Sequence, residues 1–414
     1  MSASDPTSGN WLRSLTPRES STLIATFVGW MLDGMDVMIF SFVMPSLIAL
    51  WHITKDQAGL LGTSVLLISA VGGWIAGMAA DRFGRVRVLQ VTILWFALFT
   101  FLSGFTNSFW QLMLTRGLQG LGFGGEWAVG SVLIGETIRA QHRGKAVGTV
   151  QSGWALGWGV AAIFYTALFS YLPAEIAWRI MFWIGLLPAL LVFYIQGRVH
   201  EPEIYAAKKP EHGAARFSEI FSPHLLRTTL MASLVALGAQ GGYYAVTTYL
   251  PLYLQSVRHL SVMSTGGYLA VIISGAFAGY LTSAMLTDAL GRRRTLILFA
   301  VGSFVVVLLY TAFPITDSVM LVLGFPLGFF SSGSFSPMGS FFTELFPTRV
   351  RASGQGFAYN FGRGLGAIFP ALVGYLSTMI SLERAIAIFS AGAYLLMIAG
   401  VLALPETRGK ALRD

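Results

Sequence analysis

The sequence predicts an all-α membrane protein of twelve transmembrane helices in two pseudo-symmetric six-helix bundles. Three observations carry that prediction. The 414 residues are 55% hydrophobic and only 11% charged, where a soluble chain carries about 25% charge. Apolar stretches of about 20 residues, the length a helix needs to cross the hydrocarbon core, recur along the whole chain. The polar segments between them repeat once in register, which marks two halves built on one plan.

Taken in order, residues 1–19 are polar and lack the apolar core and cleavage site of a signal peptide, so they are expected to be a cytoplasmic tail ahead of a retained first span. A first bundle is expected over 20–196, with spans near 20–45, 57–80, 88–106, 108–136, 144–170 and 176–196. Residues 197–225, opening "GRVHEPEIYAAKKPEHGAARFSEIF", are too charged to cross and rich enough in helix formers to lie along the membrane surface as a linker. A second bundle follows over 226–404, with spans near 226–253, 265–287, 295–313, 317–343, 352–378 and 383–404, and residues 405–414 form a second cytoplasmic tail. Pro188, Pro251, Pro326, Pro337 and Pro370 fall within spans, where each removes a backbone donor and invites a kink. The 47 glycines let helix backbones approach where lipid gives no hydrophobic drive for association.

The net charge of +8 would suit a nucleic-acid partner were it not for its placement. With both termini inside, only Lys55, Arg179, Arg258 and Arg384 of the 27 Lys and Arg face the far side, and only Arg116 and Arg363 lie within spans. That asymmetry follows the positive-inside rule and reports topology. The chain has no cysteine, and all six histidines fall in loops, so thiolate sites and a histidine proton relay inside the membrane are excluded. No metal or other cofactor is expected. Neither a nucleophile and base pair nor a phosphate loop is present, and GLGFGG (120–125) lies in a membrane helix without the strand and turn that would give it nucleotide meaning, so an enzyme is not expected.

The repeat is most legible in the loops. "GMAADRFGRVRVL" (77–89) and "AMLTDALGRRRTL" (284–296) align Asp81 with Asp288, and "GETIRAQHRGKAVG" (135–148) aligns with "TELFPTRVRASGQG" (343–356) through Glu136 and Glu344. The first of these, with "RGLQGLGFGG" (116–125) and the closing "LPETRG" (404–409), resembles the signatures of the Major Facilitator Superfamily, and the resemblance covers the whole chain. Within it, "LDGMD", "GFGGEW" and "FPTRVRASGQGFAYNFGRGLGAIFP" are similar to the sialate:proton symporters and the aromatic acid:proton symporters. The resemblance implies the superfamily fold, no cofactor beyond a proton gradient, and inward movement of an organic anion with protons. It also implies a multi-pass protein of a bacterial inner membrane, working as a monomer, whose first-span acid and fourth-span arginine serve proton coupling.

Five ionisable residues stand inside spans, where each costs a few kcal/mol and requires a partner. Asp33 and Asp36 lie on the first span, Arg116 and Glu126 on the fourth, and Arg363 on the eleventh. Counting about 1.5 Å per residue places Asp36 level with Arg116, and Asp33 at a depth neighbouring that of Glu126. Asp36 and Arg116 are therefore expected to pair as a structural or gating couple. Two carboxyls together in low dielectric do not both ionise cheaply, so Asp33 or Glu126 is the expected proton carrier. Three acids against two arginines leave the interior at minus one, which one bound proton neutralises.

Arg363, with no acid on its own span, is expected to receive a substrate carboxylate through paired hydrogen bonds. Tyr359 and Asn360 beside it, Gln151, Trp154 and Trp158 on span five, and Gln240, Tyr243 and Tyr244 on span seven are candidate cavity residues for a planar or sugar-like anion. At the inner surface Asp81, Arg82, Arg85, Asp288 and Arg292, with Glu136 and Glu344, are candidates for a cytoplasmic gate. Competing readings are a proton-coupled exporter on the same fold, disfavoured because "GTVQSGWALGWGVAAIFY" (148–165) lacks the exporters' span-five proline, and a non-transporting sensor, disfavoured by the short loops.

Overall fold

The computed structural model describes residues 11–139, 143–202, 217–347 and 350–408, without the side chains of Met78, Asp81, Arg82, residues 143–145, Phe217, Asp288, Thr343 and residues 351–353. Asp81, Arg82 and Asp288, three of the expected gate residues, thus fall outside the described side chains. The described chain is helical throughout. The first bundle comprises α1 (Pro17–Trp51), α2 (Lys55–Phe83), α3 (Arg85–Ser103), α4 (Phe109–Thr137), α5 (Arg143–Tyr171), α6 (Ala174–Ile184) and α7 (Pro188–Arg198). The second comprises α8 (Leu226–Leu252), α9 (Val262–Leu290), α10 (Arg292–Thr311), α11 (Asp317–Gly333), α12 (Ser336–Leu345), α13 (Arg351–Gly366), α14 (Ile368–Leu376) and α15 (Leu382–Leu402).

These helices make twelve spans, three of them in two pieces. Gly185–Leu187 interrupts α6 and α7 ahead of Pro188, Ser334 and Phe335 interrupt α11 and α12 ahead of Pro337, and Ala367 separates α13 from α14 ahead of Pro370. At each break a prolyl nitrogen withholds the bond that would continue the ladder. Pro251 precedes a single π-helical turn, Tyr253–Val257, while α11 runs through Pro326. Among the described residues, nine spans are long and apolar enough to cross a membrane by length and composition alone. The remaining three, α4, α8 and α13–α14, carry Arg116, Gln119, Glu126, Gln240, Asn360 and Arg363, while Asp33 and Asp36 lie on α1, whose apolar run is long enough to meet the criterion despite them.

Glycine sets the packing that turns those polar faces inward. A Cβ at Gly124 of α4 would run into the Ser69 carbonyl of α2, and one at Gly157 of α5 into the Met31 carbonyl of α1. With backbones touching on these sides, α4 has its opposite face free for α1 and the centre.

The face that carries the linker, here the linker face, repeats one device in both halves. Gly84 joins α2 to α3 and Gly291 joins α9 to α10, each at φ 102°, a backbone that side chains rarely adopt. The Arg85 guanidinium donates to Glu136 at 3.2 Å, and Arg292 grips Glu344 at 2.9 and 3.1 Å. These described pairs join helices of the same bundle. A second acid caps each following helix: Glu201 accepts the backbone N–H of Arg85 and Val86 at 2.9 and 2.8 Å, and Glu406 accepts those of Arg292 and Arg293 at 3.0 and 3.1 Å. A carboxylate at a helix N-terminus meets both the orphan donors and the positive end of the dipole.

Burial works against ionisation of Glu406, yet the backbone N–H groups of Arg408, Arg292, Thr407 and Arg293 outweigh it and hold its carboxyl below the ordinary range. A depressed folded-state value means that this stabilisation is fully present above the unfolded pKa of about 4.3 and is lost as pH falls through the folded value. Glu406→Gln is therefore expected to lower the thermal midpoint at pH 7 by a few degrees, from a loss of about 1–2 kcal/mol, with the gap to the parent closing as pH drops below 4. An equal gap at both pH values would remove the carboxylate from the explanation.

Candidate functional site

Two antiparallel helices build the centre. α1 rises from the linker face and α4 descends to it, and their facing residues form rungs. On α4, Arg116, Gln119, Phe123 and Glu126 recur at three- and four-residue steps and so share one face. On α1, Asp33, Asp36 and Phe40 do the same. The uppermost rung sets the Arg116 guanidinium over the Phe40 ring, 4.2 Å from its centroid, with the Phe182 ring 6.0 Å away. In the middle, Gln119 hydrogen-bonds through its amide nitrogen to Asp36 and accepts from Arg116 at 3.4 Å. The lowest rung brings the Asp33 and Glu126 carboxyls together.

Asp36 and Arg116 therefore meet through Gln119, a residue that sequence reasoning passed over. The signal was available: a buried amide three residues from Arg116 and seven from Glu126, facing the same way. All five charged residues are enclosed, with Asp33 at 0%, Asp36 1%, Arg116 2%, Glu126 4% and Arg363 2% exposed. Neither oxygen of Asp33 nor Oε2 of Glu126 meets a hydrogen-bond donor among the described residues, so a proton on one of the two carboxyls is what lets them bond to each other.

From the other bundle, α13 delivers Arg363 onto the far side of Phe123, its guanidinium carbon 4.2 Å from the ring centroid. The ring supplies a π-face to the cation, and Arg363 also bears electrostatically on Asp33. Its Nε and Nη1 have no partner among the described residues.

Around this pair of arginines runs a polar seam. Tyr244 donates to Gln240 at 3.4 Å, and Gln240 donates to the Tyr359 carbonyl, one turn from Arg363, at 3.1 Å. Trp154 crosses between the bundles to donate to the Tyr243 hydroxyl at 2.8 Å. Asn360 turns its amide nitrogen back to the Gly356 carbonyl at 3.1 Å. Gln151 is buried on α5, and Trp158 is buried with its Nε1 unpartnered among the described residues. A cavity between the bundles is lined by Arg116, Ser41, Tyr244, Thr247 and Thr248. Trp30 and Trp127, not singled out in the sequence, pack at 4.3 Å beside Glu126, and Trp30 lies 5.0 Å from Trp154.

The expected gate residues sit apart from this centre, at the linker face, where Arg85, Arg292, Glu136 and Glu344 pair as described above. The two halves also touch at the opposite face: the Tyr249 hydroxyl lies 3.0 Å from both the Lys55 and Pro370 carbonyls. Thr63 of α2 accepts the Ala371 backbone N–H at 3.2 Å, close to the break before α14.

Comparison with known proteins agrees with this architecture. A profile of the Major Facilitator Superfamily matches residues 26–285 and 269–414. The chain belongs to the Major Facilitator Superfamily. Two relatives within that superfamily are a probable 4-methylmuconolactone transporter of Cupriavidus pinatubonensis, 42% identical over 98% of this chain and 94% of its own length, and a cis,cis-muconate transport protein of Acinetobacter baylyi, 30% identical over 92% and 93%. Among solved structures, a bacterial homologue of the human lysosomal transporter Spinster superposes with a TM-score of 0.69 at 20% identity, over 94% of this chain and 95% of that one. The superfamily assignment makes the protein a multi-pass membrane transporter, with twelve spans in two bundles.

In a superfamily member whose site hangs on the Asp36–Gln119–Arg116 bridge, Gln119→Leu keeps the volume and removes both hydrogen bonds. It is expected to cost about 1–3 kcal/mol, since it leaves a buried carboxylate and guanidinium unsatisfied. A melting point in detergent indistinguishable from the parent's would show the bridge to be dispensable.

Proposed function

We propose that this transporter takes up a small organic acid anion together with protons by alternating access. In this reading both termini face the cytoplasm of a bacterial cell, and the inner membrane supplies the gradient. The observation that carries it is Arg363: a guanidinium 2% exposed, with two nitrogens unpartnered among the described residues, placed beside an excess of buried acids. An anionic ligand completes its hydrogen bonds, and a carboxylate does so with two parallel contacts.

The coupling follows from charge. While Asp33 is ionised it is a counter-charge to Arg363 and competes with an incoming anion. A proton taken up by the Asp33–Glu126 pair removes that competition and lets the substrate carboxylate bind. With one proton and one carboxylate bound the interior stands again at minus one, as in the empty site, and a second proton on the Asp33–Glu126 pair brings it to neutral, so the loaded bundles rock without carrying an uncompensated charge through low dielectric. Phe123 and the seam of Trp154, Tyr243, Tyr244 and Gln240 then offer apolar area and a few hydrogen bonds to the body of the anion. Relatives named for 4-methylmuconolactone and cis,cis-muconate support an unsaturated organic acid as cargo; benzoate-like and sugar acids satisfy the same chemistry.

The test is transport by purified protein in liposomes, with cis,cis-muconate, benzoate and sialate as probes. Arg363→Ala is expected to weaken binding of the accepted acid about ten- to a hundredfold, the equivalent of about 1.5–3 kcal/mol for hydrogen bonds to a charged group. Asp33→Asn and Glu126→Gln, made separately, are compared for uphill accumulation and for exchange at equal pH. At least one is expected to retain exchange and lose accumulation; uphill accumulation by both would place the proton elsewhere.

A further inference from the structure

Between α1, α3, α4 and α5, on the linker side of Glu126, lies a cavity lined by Glu126, Thr26, Trp30, Trp127, Leu89, Gly130, Ala25 and Val150. It is distinct from the cleft between the bundles, since all four helices belong to the first. Its direction is set by chain geometry. Thr26 precedes Asp33 on a helix that starts at the linker face, Gly130 follows Glu126 on a helix that ends there, and Leu89 and Val150 are one to two turns inside the starts of α3 and α5.

The polar groups in it are consistent with passage of a proton. Glu126 Oε2 is buried and without a partner among the described residues. The Thr26 hydroxyl donates to the Thr22 carbonyl at 2.9 Å, which leaves its oxygen free to accept. One turn nearer the linker face on α1, the Thr22 hydroxyl is 0% exposed and likewise unpartnered among the described residues. Beyond it Glu19 and Arg139 pair at 2.9 Å at the edge of the bundle. The charged groups that face Glu126 are Asp33 and Asp36 on α1; α3 and α5 contribute only Leu89 and Val150 to the cavity.

We propose that this cavity is a proton pathway of its own, through which Glu126 exchanges its proton with the linker face by way of Thr26 and Thr22, while the substrate leaves between the bundles. The inference rests on the symport reading above and makes it more specific: Glu126 is the member of the acidic pair that communicates with the linker face, and Asp33, next to Arg363, is the member that communicates with the anion. Two hydroxyls one turn apart on α1, the inner one facing a cavity that the Glu126 carboxyl of α4 also lines, suit a relay through a bridging water. Gly130 lines it with no side chain to fill it. A Cβ there would lie 3.9 Å from Thr26 and 4.0 Å from Leu89, ordinary contact distances, so a side chain fits without displacing its neighbours and occupies the passage.

That fit supplies the experiment. Gly130→Ala, Gly130→Val and Thr26→Val are reconstituted in liposomes with cis,cis-muconate as the probe, measuring uptake driven by an imposed pH gradient and counterflow at equal pH. Gradient-driven uptake is expected to fall progressively, about twofold for Gly130→Ala and about tenfold for Gly130→Val, with Thr26→Val between them, while counterflow stays within about twofold of the parent because exchange needs no proton release. Gradient-driven uptake unchanged in all three variants, or a parallel fall in counterflow, overturns the pathway while leaving symport intact. Muconate uptake by the unsubstituted protein that ignores the gradient overturns the symport reading itself, and the pathway with it.

Discussion

A charge inside hydrocarbon has to be answered by another charge, a hydrogen bond or a proton, and the centre of this protein is organised by that requirement. Three carboxyls and two guanidiniums lie within the spans, each nearly or fully enclosed. The arginines rest on phenylalanine faces, Arg116 on Phe40 and Arg363 on Phe123, which shield them from lipid and fix their planes. Gln119 divides itself between Asp36 and Arg116 and so satisfies an acid and a base with one neutral group. Left over among the described residues are the pair of acids, one oxygen of Asp36, Nε of Arg116 and two nitrogens of Arg363, and the pair of acids and Arg363 are the groups that a proton and an anion would complete.

The backbone makes that arrangement possible. α4 has no side chain at Gly124 to hold α2 away, and α5 none at Gly157 to hold α1 away. Close contact on those sides leaves the polar face of α4 opposite the polar face of α1, with rungs in register because the helices run antiparallel. A helix carrying Arg116, Gln119 and Glu126 has too little apolar surface to be placed by hydropathy, and close packing against its neighbours compensates.

The two halves share their surface devices and divide their interior. Arg85, Glu136 and Glu201 in one half and Arg292, Glu344 and Glu406 in the other occupy corresponding places at corresponding turns. Inside the spans the resemblance ends: the acids all belong to the first bundle, while Arg363, Gln240 and Asn360 belong to the second. A pseudo-twofold scaffold therefore carries an asymmetric site, the arrangement expected if one bundle handles protons and the other the anion.

The twelve spans, the twofold plan and the five intramembrane charges were legible in the sequence, because apolar length, loop repetition and a stray charge in an apolar run are local properties. Depth was legible in part, since rise per residue is constant: it placed Asp33 near Glu126, but it set Asp36 level with Arg116, where the structure puts Phe40 against Arg116 and Gln119 against Asp36. Contact was not. Gln119 between Asp36 and Arg116, the phenylalanine under each arginine, the caps formed by Glu201 and Glu406 and the breaks before α7, α12 and α14 depend on helix rotation, crossing and local strain. These are fixed by packing against distant segments, so only the tertiary structure decided which of the buried groups touch.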